Sequence, residues 1–180
     1  MLLIARHGRT ADNAAGRILG RRDPPLDRAG REEARALAAS LDGIALAALW
    51  TSPLLRARQT AAVVGEAAGL EPVVLDALAE SPRGRWEGRT VADLAAEEPE
   101  RFAAFEAGEP AFAFPGGESL REQADRTRAA LDRIALGPRP ALAVAHAGTI
   151  RAALALTGQP VPPERELAHG AAVAIAYPPD

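Results

Sequence analysis

An α/β fold built on a mainly parallel sheet is the architecture this sequence predicts. Three observations lead to it: short apolar runs bounded by turn residues recur along the chain, helical patterns separate most of them, and no repeat or low-complexity stretch interrupts the alternation. The strand-length runs are Leu2 to Ala5, Ala48 to Trp50, Val73 to Leu75, Ala141 to Ala145 and Ala172 to Tyr177. Between the first two, Asp27 is placed to cap a helix running toward Leu41, and Gly43 to stop it. Ser52 and Pro53 predict a second helix running toward Gly69, serine accepting free backbone N–H groups and proline losing nothing at the first helical position. Ser119 predicts a third through Ile134, with Leu120, Ala124, Leu131 and Ile134 near one face and Gly137 and Pro138 ending it. The segment 90–117 reads as a partly helical lid: from Pro99 to Gly117 it holds three prolines and all four phenylalanines of the chain, and no good strand. Those phenylalanines either fill a side pocket or touch substrate.

With 180 residues, 48% of them hydrophobic, residues 1–180 read as a single domain. The start, Met1 to Ala5 followed by Arg6, does not resemble a signal peptide, and no apolar stretch reaches membrane-spanning length, so a cytoplasmic protein is expected. The absence of cysteine excludes disulfides, thiolate metal sites and a cysteine nucleophile. All 21 basic residues are arginine, which excludes Schiff-base chemistry and the lysine of a phosphate-binding loop. A net charge of -3 argues against a broad nucleic-acid or membrane surface while allowing a local basic pocket.

The chemistry-bearing residues fall at the ends of the expected strands. His7 follows the first, Arg56 lies just after Ser52 and Pro53, Glu80 follows the third by a few residues, and His146 follows the strand ending at Ala145. In an open parallel sheet the carboxyl ends of the strands face one crevice, where ligands bind. A largely neutral imidazole at His7 is a competent nucleophile if its attacking nitrogen is unprotonated. Arg6 and Arg56 present planar donor forks that match phosphoryl oxygens, and His146, if protonated, adds a third cation. Glu80 is then available to protonate the leaving oxygen and afterwards to deprotonate water. The scheme calls for no metal and no cofactor; the three histidines are isolated, and the sequence contains no HExxH, GxSxG or GxxxxGK[ST] pattern and no Asp-x-Asp pair.

The segments "ARHGRTADN" from Ala5, "DPPLDRAG" from Asp23, "TSPLLRARQTA" from Thr51, "LAESPRGRWEG" from Leu78, "PGGES" from Pro115 and "VAHAGTIRA" from Val144 resemble, in order and spacing, the phosphoglycerate mutase-like branch of the histidine phosphatase superfamily. The resemblance spans nearly the whole chain. It implies a three-layer sandwich of the phosphoglycerate mutase-like type, with helices on both faces of the sheet. It also implies that His7 is the phosphorylated nucleophile, that Arg6, Arg56 and His146 form the phosphate pocket, that Glu80 donates the proton, and that Asn13 touches the phosphate, with Gly20 and the Ala147 N–H near substrate. Two positions depart from the common pattern: Arg9 stands where many members have glutamate, and Ala147 where many have glycine.

The expected activity is hydrolysis of a phosphorylated small molecule through a phosphohistidine on His7. The alternatives are a phosphoglycerate mutase, which the shortness of the chain argues against, a phosphohistidine-protein phosphatase, and a non-catalytic phosphate sensor. The partner expected is the phosphorylated substrate, with neither nucleic acid nor membrane, and a homodimer left open. His169, without a matching motif, reads as a structural histidine; Arg58, Arg83, Arg85, Arg89 and Arg121 read as solvated surface; Trp86 as a loop anchor; and Asn13 alternatively as a turn residue.

Overall fold

The computed structural model describes residues 1–177; the last three residues of the expected domain, 178–180, lie outside the described residues. Five strands form the sheet: β1 (Leu2–Arg6), β2 (Ala48–Thr51), β3 (Val73–Val74), β4 (Ala141–Ala145) and β5 (Ala172–Ile175), in the spatial order β3-β2-β4-β1-β5. All neighbours pair in parallel except β1 with β5. Each expected strand is therefore present, the third and fifth being shorter than predicted. Val73 and Val74 lie on an exposed edge, half open to solvent, which limits that strand to two residues.

Side-chain alternation along the strands divides the core into layers. Leu2, Ile4, Ala141, Ala143 and Ala145 point to one face, where they meet Leu131 and Ile134 of α6 (Leu120–Ala135) and Ile150, Ala153 and Leu154 of α7 (Ala147–Leu156). Leu3, Ala5, Leu49, Leu142 and Val144 point to the other, against Leu37 of α2 (Arg28–Ser40) and Ala57, Ala61 and Val64 of α3 (Leu55–Ala68). This is the three-layer sandwich. The central strand β4, Ala-Leu-Ala-Val-Ala, is buried throughout, and its alanines allow helices to approach closely on one side.

Two helix starts follow the expected chemistry. The Asp27 carboxylate accepts from Gly30 N–H at 2.7 Å, and Ser119 forms a reciprocal capping box with Glu122. The third does so in part. The Ser52 hydroxyl accepts from Leu54 N–H at 3.2 Å and also meets the His146 ring, while Ser52 N–H extends the β2 ladder onto Val144 O, so α3 begins three residues later. Its first N–H, that of Leu55, is capped by Asp23 from a distant loop at 2.7 Å.

The short helix α1 (Ala11–Ala14) follows β1, and the 90–117 segment is partly helical, with α4 (Val91–Glu97) and α5 (Pro99–Ala107). Its four phenylalanines surround the fully buried Trp86, with ring centroids 5.6 to 6.1 Å away. Trp86 anchors the loop, as expected, and donates through Nε1 to Glu98.

The loop after β1 is pressed onto the N-terminus of α2 through two glycines. A Cβ on Gly8 would overlap the Gly30 carbonyl, and one on Gly30 would overlap the carbonyl of Arg9. Since backbone atoms cannot step aside cheaply, Gly30→Ala should lower stability by about 1–3 kcal/mol, read as a fall in the thermal midpoint together with a loss of turnover. An unchanged midpoint would mean the contact is looser than described.

Candidate active site

Strand register assembles the site. Arg6 pairs with Ala145 and Thr51 with Val144, so the residues that follow, His7, Ser52 and His146, emerge side by side at one sheet edge. The His7 and His146 ring centroids are 5.1 Å apart. A cavity of about 330 Å³ opens over them, lined by Arg6, His7, Asn13, Gly20, Arg56, Glu80 and Ala147 among others. The structure thus brings together all eight residues singled out from the sequence, seven in the cavity lining and His146 against His7 just behind it.

His7 is buried, and its two nitrogens have different partners. Nδ1 lies 2.8 Å from the Gly8 carbonyl, which only accepts, so Nδ1 carries the proton and Nε2 is bare. Arg56 Nε donates to that bare nitrogen at 3.2 Å. Burial and the neighbouring His146, Arg56 and Arg6 hold His7 well below the usual imidazole range, so it is neutral at physiological pH.

Arg56 is itself almost fully buried, with its other donors on the carbonyls of Arg22 at 2.7 Å and Gly20 at 3.0 Å. Burial brings its pKa down to about 10, which leaves it charged. Arg6 donates to Leu167 O at 2.5 Å and Glu164 O at 3.3 Å. Asn13 closes a capping box with Thr10 through Oδ1, so the turn role and the cavity position coexist and its NH₂ is left for a ligand. Ala147 is the first residue of α7 and lines the cavity at a helix N-terminus, a favourable place for an anion.

One expectation needs correction, and the condition on another is sharpened. Burial and the charges of Arg56, Arg6 and Arg83 hold His146 well below the usual imidazole range, so its protonation calls for an adjacent anion, and Nε2 contacts Ser52 Oγ at 2.7 Å. Arg83 is not solvated surface. It is buried, pairs with Glu164 at 2.5 Å and Glu80 at 3.4 Å, and stacks over Phe105 and Phe114. Its nearness to Glu80, three residues earlier, was the one signal of this in the sequence.

Glu80 is held by many groups. Oε1 accepts from Ser81 N–H and Gln123 Nε2, both at 2.9 Å, and Oε2 from Gly148 N–H at 3.2 Å. Burial pushes its pKa up, but Arg83, these backbone donors and Arg56 outweigh that, and the carboxyl is ionised. Gln123 and Ser52, neither of them read as a site residue from the sequence, serve as supports for Glu80 and His146.

Arg9 does not line the cavity; it turns away to Asp27 at 2.8 Å, where it braces the cap of α2. The charge reversal at this position is thereby absorbed by the scaffold. His169 is found in the cavity lining, 5.7 Å from the His7 ring. Among the described residues no group of three or more His, Cys, Asp or Glu is arranged to hold a metal ion, and no helix is long and apolar enough to cross a membrane.

All three histidines have folded-state pKa values below the ordinary 6.5. As pH falls through that value the unfolded chain takes up protons that the folded chain refuses, so their contribution is complete above it and is lost below it. The thermal midpoint should drop as pH is lowered from about 7 to about 5, and His169→Asn should make the drop shallower. A flat profile over that window would contradict the neutral buried rings.

Comparison with known proteins places these observations in context. Residues 2–176 match the family described as the histidine phosphatase superfamily (branch 1). The "probable phosphoglycerate mutase" of Photorhabdus laumondii is 36% identical over 146 residues, 79% of this chain and 67% of that protein. Phosphoserine phosphatase 1 of Hydrogenobacter thermophilus is 32% identical over 133 residues, 74% of this chain and 63% of that one. A bifunctional protein of Mycobacterium tuberculosis is 38% identical over 160 residues, of which this chain covers 43%. Among solved structures, a mycobacterial glucosyl-3-phosphoglycerate phosphatase in complex with VO3 superposes with a TM-score of 0.78 at 35% identity, over 89% of this chain and 81% of that one.

Proposed function

The chain belongs to the histidine phosphatase superfamily and is a phosphatase, and on that premise we propose that it hydrolyses a phosphorylated small molecule through a phosphohistidine on Nε2 of His7. The observation that carries this reading is the polarity of one ring: a proton fixed on Nδ1 by Gly8 O, and a bare Nε2 held by Arg56 beside the cavity. An imidazole arranged in this way is a nucleophile that needs no separate base.

Glu80 begins ionised, so the proton arrives with the substrate, a phosphomonoester monoanion, and passes to Glu80. The dianion then faces Arg6, Arg56 and the helix end at Ala147. His7 Nε2 attacks phosphorus, the bond from phosphorus to the leaving oxygen breaks, and that oxygen takes the proton from Glu80. Water next enters; Glu80 removes a proton from it as the water oxygen attacks the phosphohistidine, the P–N bond breaks, and phosphate leaves as the monoanion, taking that proton from Glu80 and restoring the ionised carboxylate. Arginine charges in a buried site stabilise the equatorial oxygens during both displacements.

The size of the cavity and the helices α4 and α5 near its mouth support a small molecule over a protein as substrate. Ile18, Leu19, Val91, Phe102 and Phe105 supply its apolar wall, so the lid phenylalanines fill a side pocket around Trp86 and two of them also reach the cavity.

His7→Ala should abolish turnover of nitrophenyl phosphate and remove the acid-labile label that quenching with ³²P-substrate leaves on the wild-type protein. A label surviving on that variant would refute the nucleophile. Glu80→Gln should slow alkyl phosphates about tenfold to a hundredfold more than nitrophenyl phosphate, whose leaving group scarcely needs a proton. Equal slowing of both removes Glu80 from the acid role. Release of free phosphate from a panel of phosphorylated metabolites identifies the substrate, and interconversion of phosphoglycerates without phosphate release would favour a mutase instead.

A further inference from the structure

Several directional donors around the cavity are already engaged by the protein. Arg56 uses Nε, Nη1 and Nη2 on His7, Arg22 O and Gly20 O, and Arg6 has Nη1 on two carbonyls. Their remaining N–H groups and the Asn13 amide meet only part of what a phosphoryl group takes, since each of its oxygens accepts more than one hydrogen bond.

His169 has one to give. Its ring lines the cavity 5.7 Å from the His7 ring, and its Nε2 is buried with no partner. A buried polar nitrogen left unpaired is costly, and one beside a ligand cavity is explained if the ligand pairs it. The backbone beyond it is clamped to β1: Gly170 N–H donates to Arg6 O and Arg6 N–H to Ala171 O, each at 3.0 Å. Burial with Arg6 and Arg9 nearby brings the imidazole down to about 3, so it is neutral and carries a single N–H.

We propose that His169 is a phosphoryl-binding residue, its ring N–H donating from Nε2 to an oxygen of the phosphoryl group as that group moves onto and off His7. The proposal rests on the phosphohistidine reading given above. No proton changes hands at His169; the hydrogen bond shortens as charge builds on the oxygen in each displacement, so its effect falls on kcat as well as on binding.

Three variants and one measurement on the unaltered protein test it. His169→Ala should lower kcat for nitrophenyl phosphate by about tenfold to a hundredfold and weaken vanadate inhibition by a similar factor. His169→Gln, which keeps an N–H donor at the reach of Nε2, should recover most of both; His169→Phe, which keeps the bulk, should recover neither. Equal behaviour of Gln and Phe, or a loss confined to KM with vanadate affinity unchanged, overturns the proposal. So does wild-type turnover in all three while His7→Ala is inactive. If His7→Ala remains active, it is the nucleophile assignment that fails. The chain has three histidines, so ¹⁵N-histidine labelling resolves their ring nitrogens in the wild-type protein. Saturating vanadate should shift Nε2 of His169, and an unmoved signal overturns the assignment even where the variants fail to fold.

Discussion

The guanidinium of Arg56, almost wholly buried and bonded at once to two loop carbonyls and to the nucleophilic nitrogen, is the interaction on which the site depends. By donating to Nε2 it can only face an unprotonated nitrogen, so it selects the reactive tautomer together with Gly8 O. By its charge it helps to keep the ring neutral. By its bonds to Gly20 and Arg22 it ties the loop between β1 and α2 to the first turn of α3, so one side chain sets both the electronics and the shape of the cavity.

Concentrating Arg6, Arg56 and Arg83 in one buried region would be prohibitive without matched anions and acceptors. The structure supplies them in layers. Glu164 and Glu80 flank Arg83, and Glu87 accepts from the backbone N–H groups of Arg21 and Arg83, joining the two loops that frame the cavity. Glu80 in turn is fixed by Ser81, Gln123 and Gly148, and a Cβ on Gly148 would press into both Glu80 and Gln123. Preorganisation of this kind means little reorganisation accompanies the movement of charge during reaction.

The aromatic cluster has a related role at longer range. Trp86, Phe102, Phe105, Phe112 and Phe114 form a third apolar centre away from the sheet, and Arg83 lies over two of these rings. The lid segment is thus packed against the residue that braces Glu80. Phe105 belongs both to the cluster and to the cavity wall, so packing of the lid and shape of the substrate site are not independent.

Much of this was legible in the residues alone. Apolar runs with turn boundaries specified the strands because alternation and burial are local properties of a segment, and Asp27 and Ser119 specified helix starts because a capping side chain needs only its own next few residues. His7, Arg56, Glu80 and His146 were legible as a group because a parallel sheet gathers its strand ends. Ser52 was only half legible: its hydroxyl accepts from Leu54 N–H at the helix start, but it also meets a partner 94 residues away, and Asp23 caps Leu55 from another loop. Arg83, Arg9 and His169 were decided by tertiary structure only: whether an arginine meets water or a buried carboxylate, and whether a histidine faces a core or a cavity, depends on which distant backbone lies beside it. Local chemistry travels with the sequence, whereas electrostatic environment is a sum over neighbours that exist only once the chain has folded.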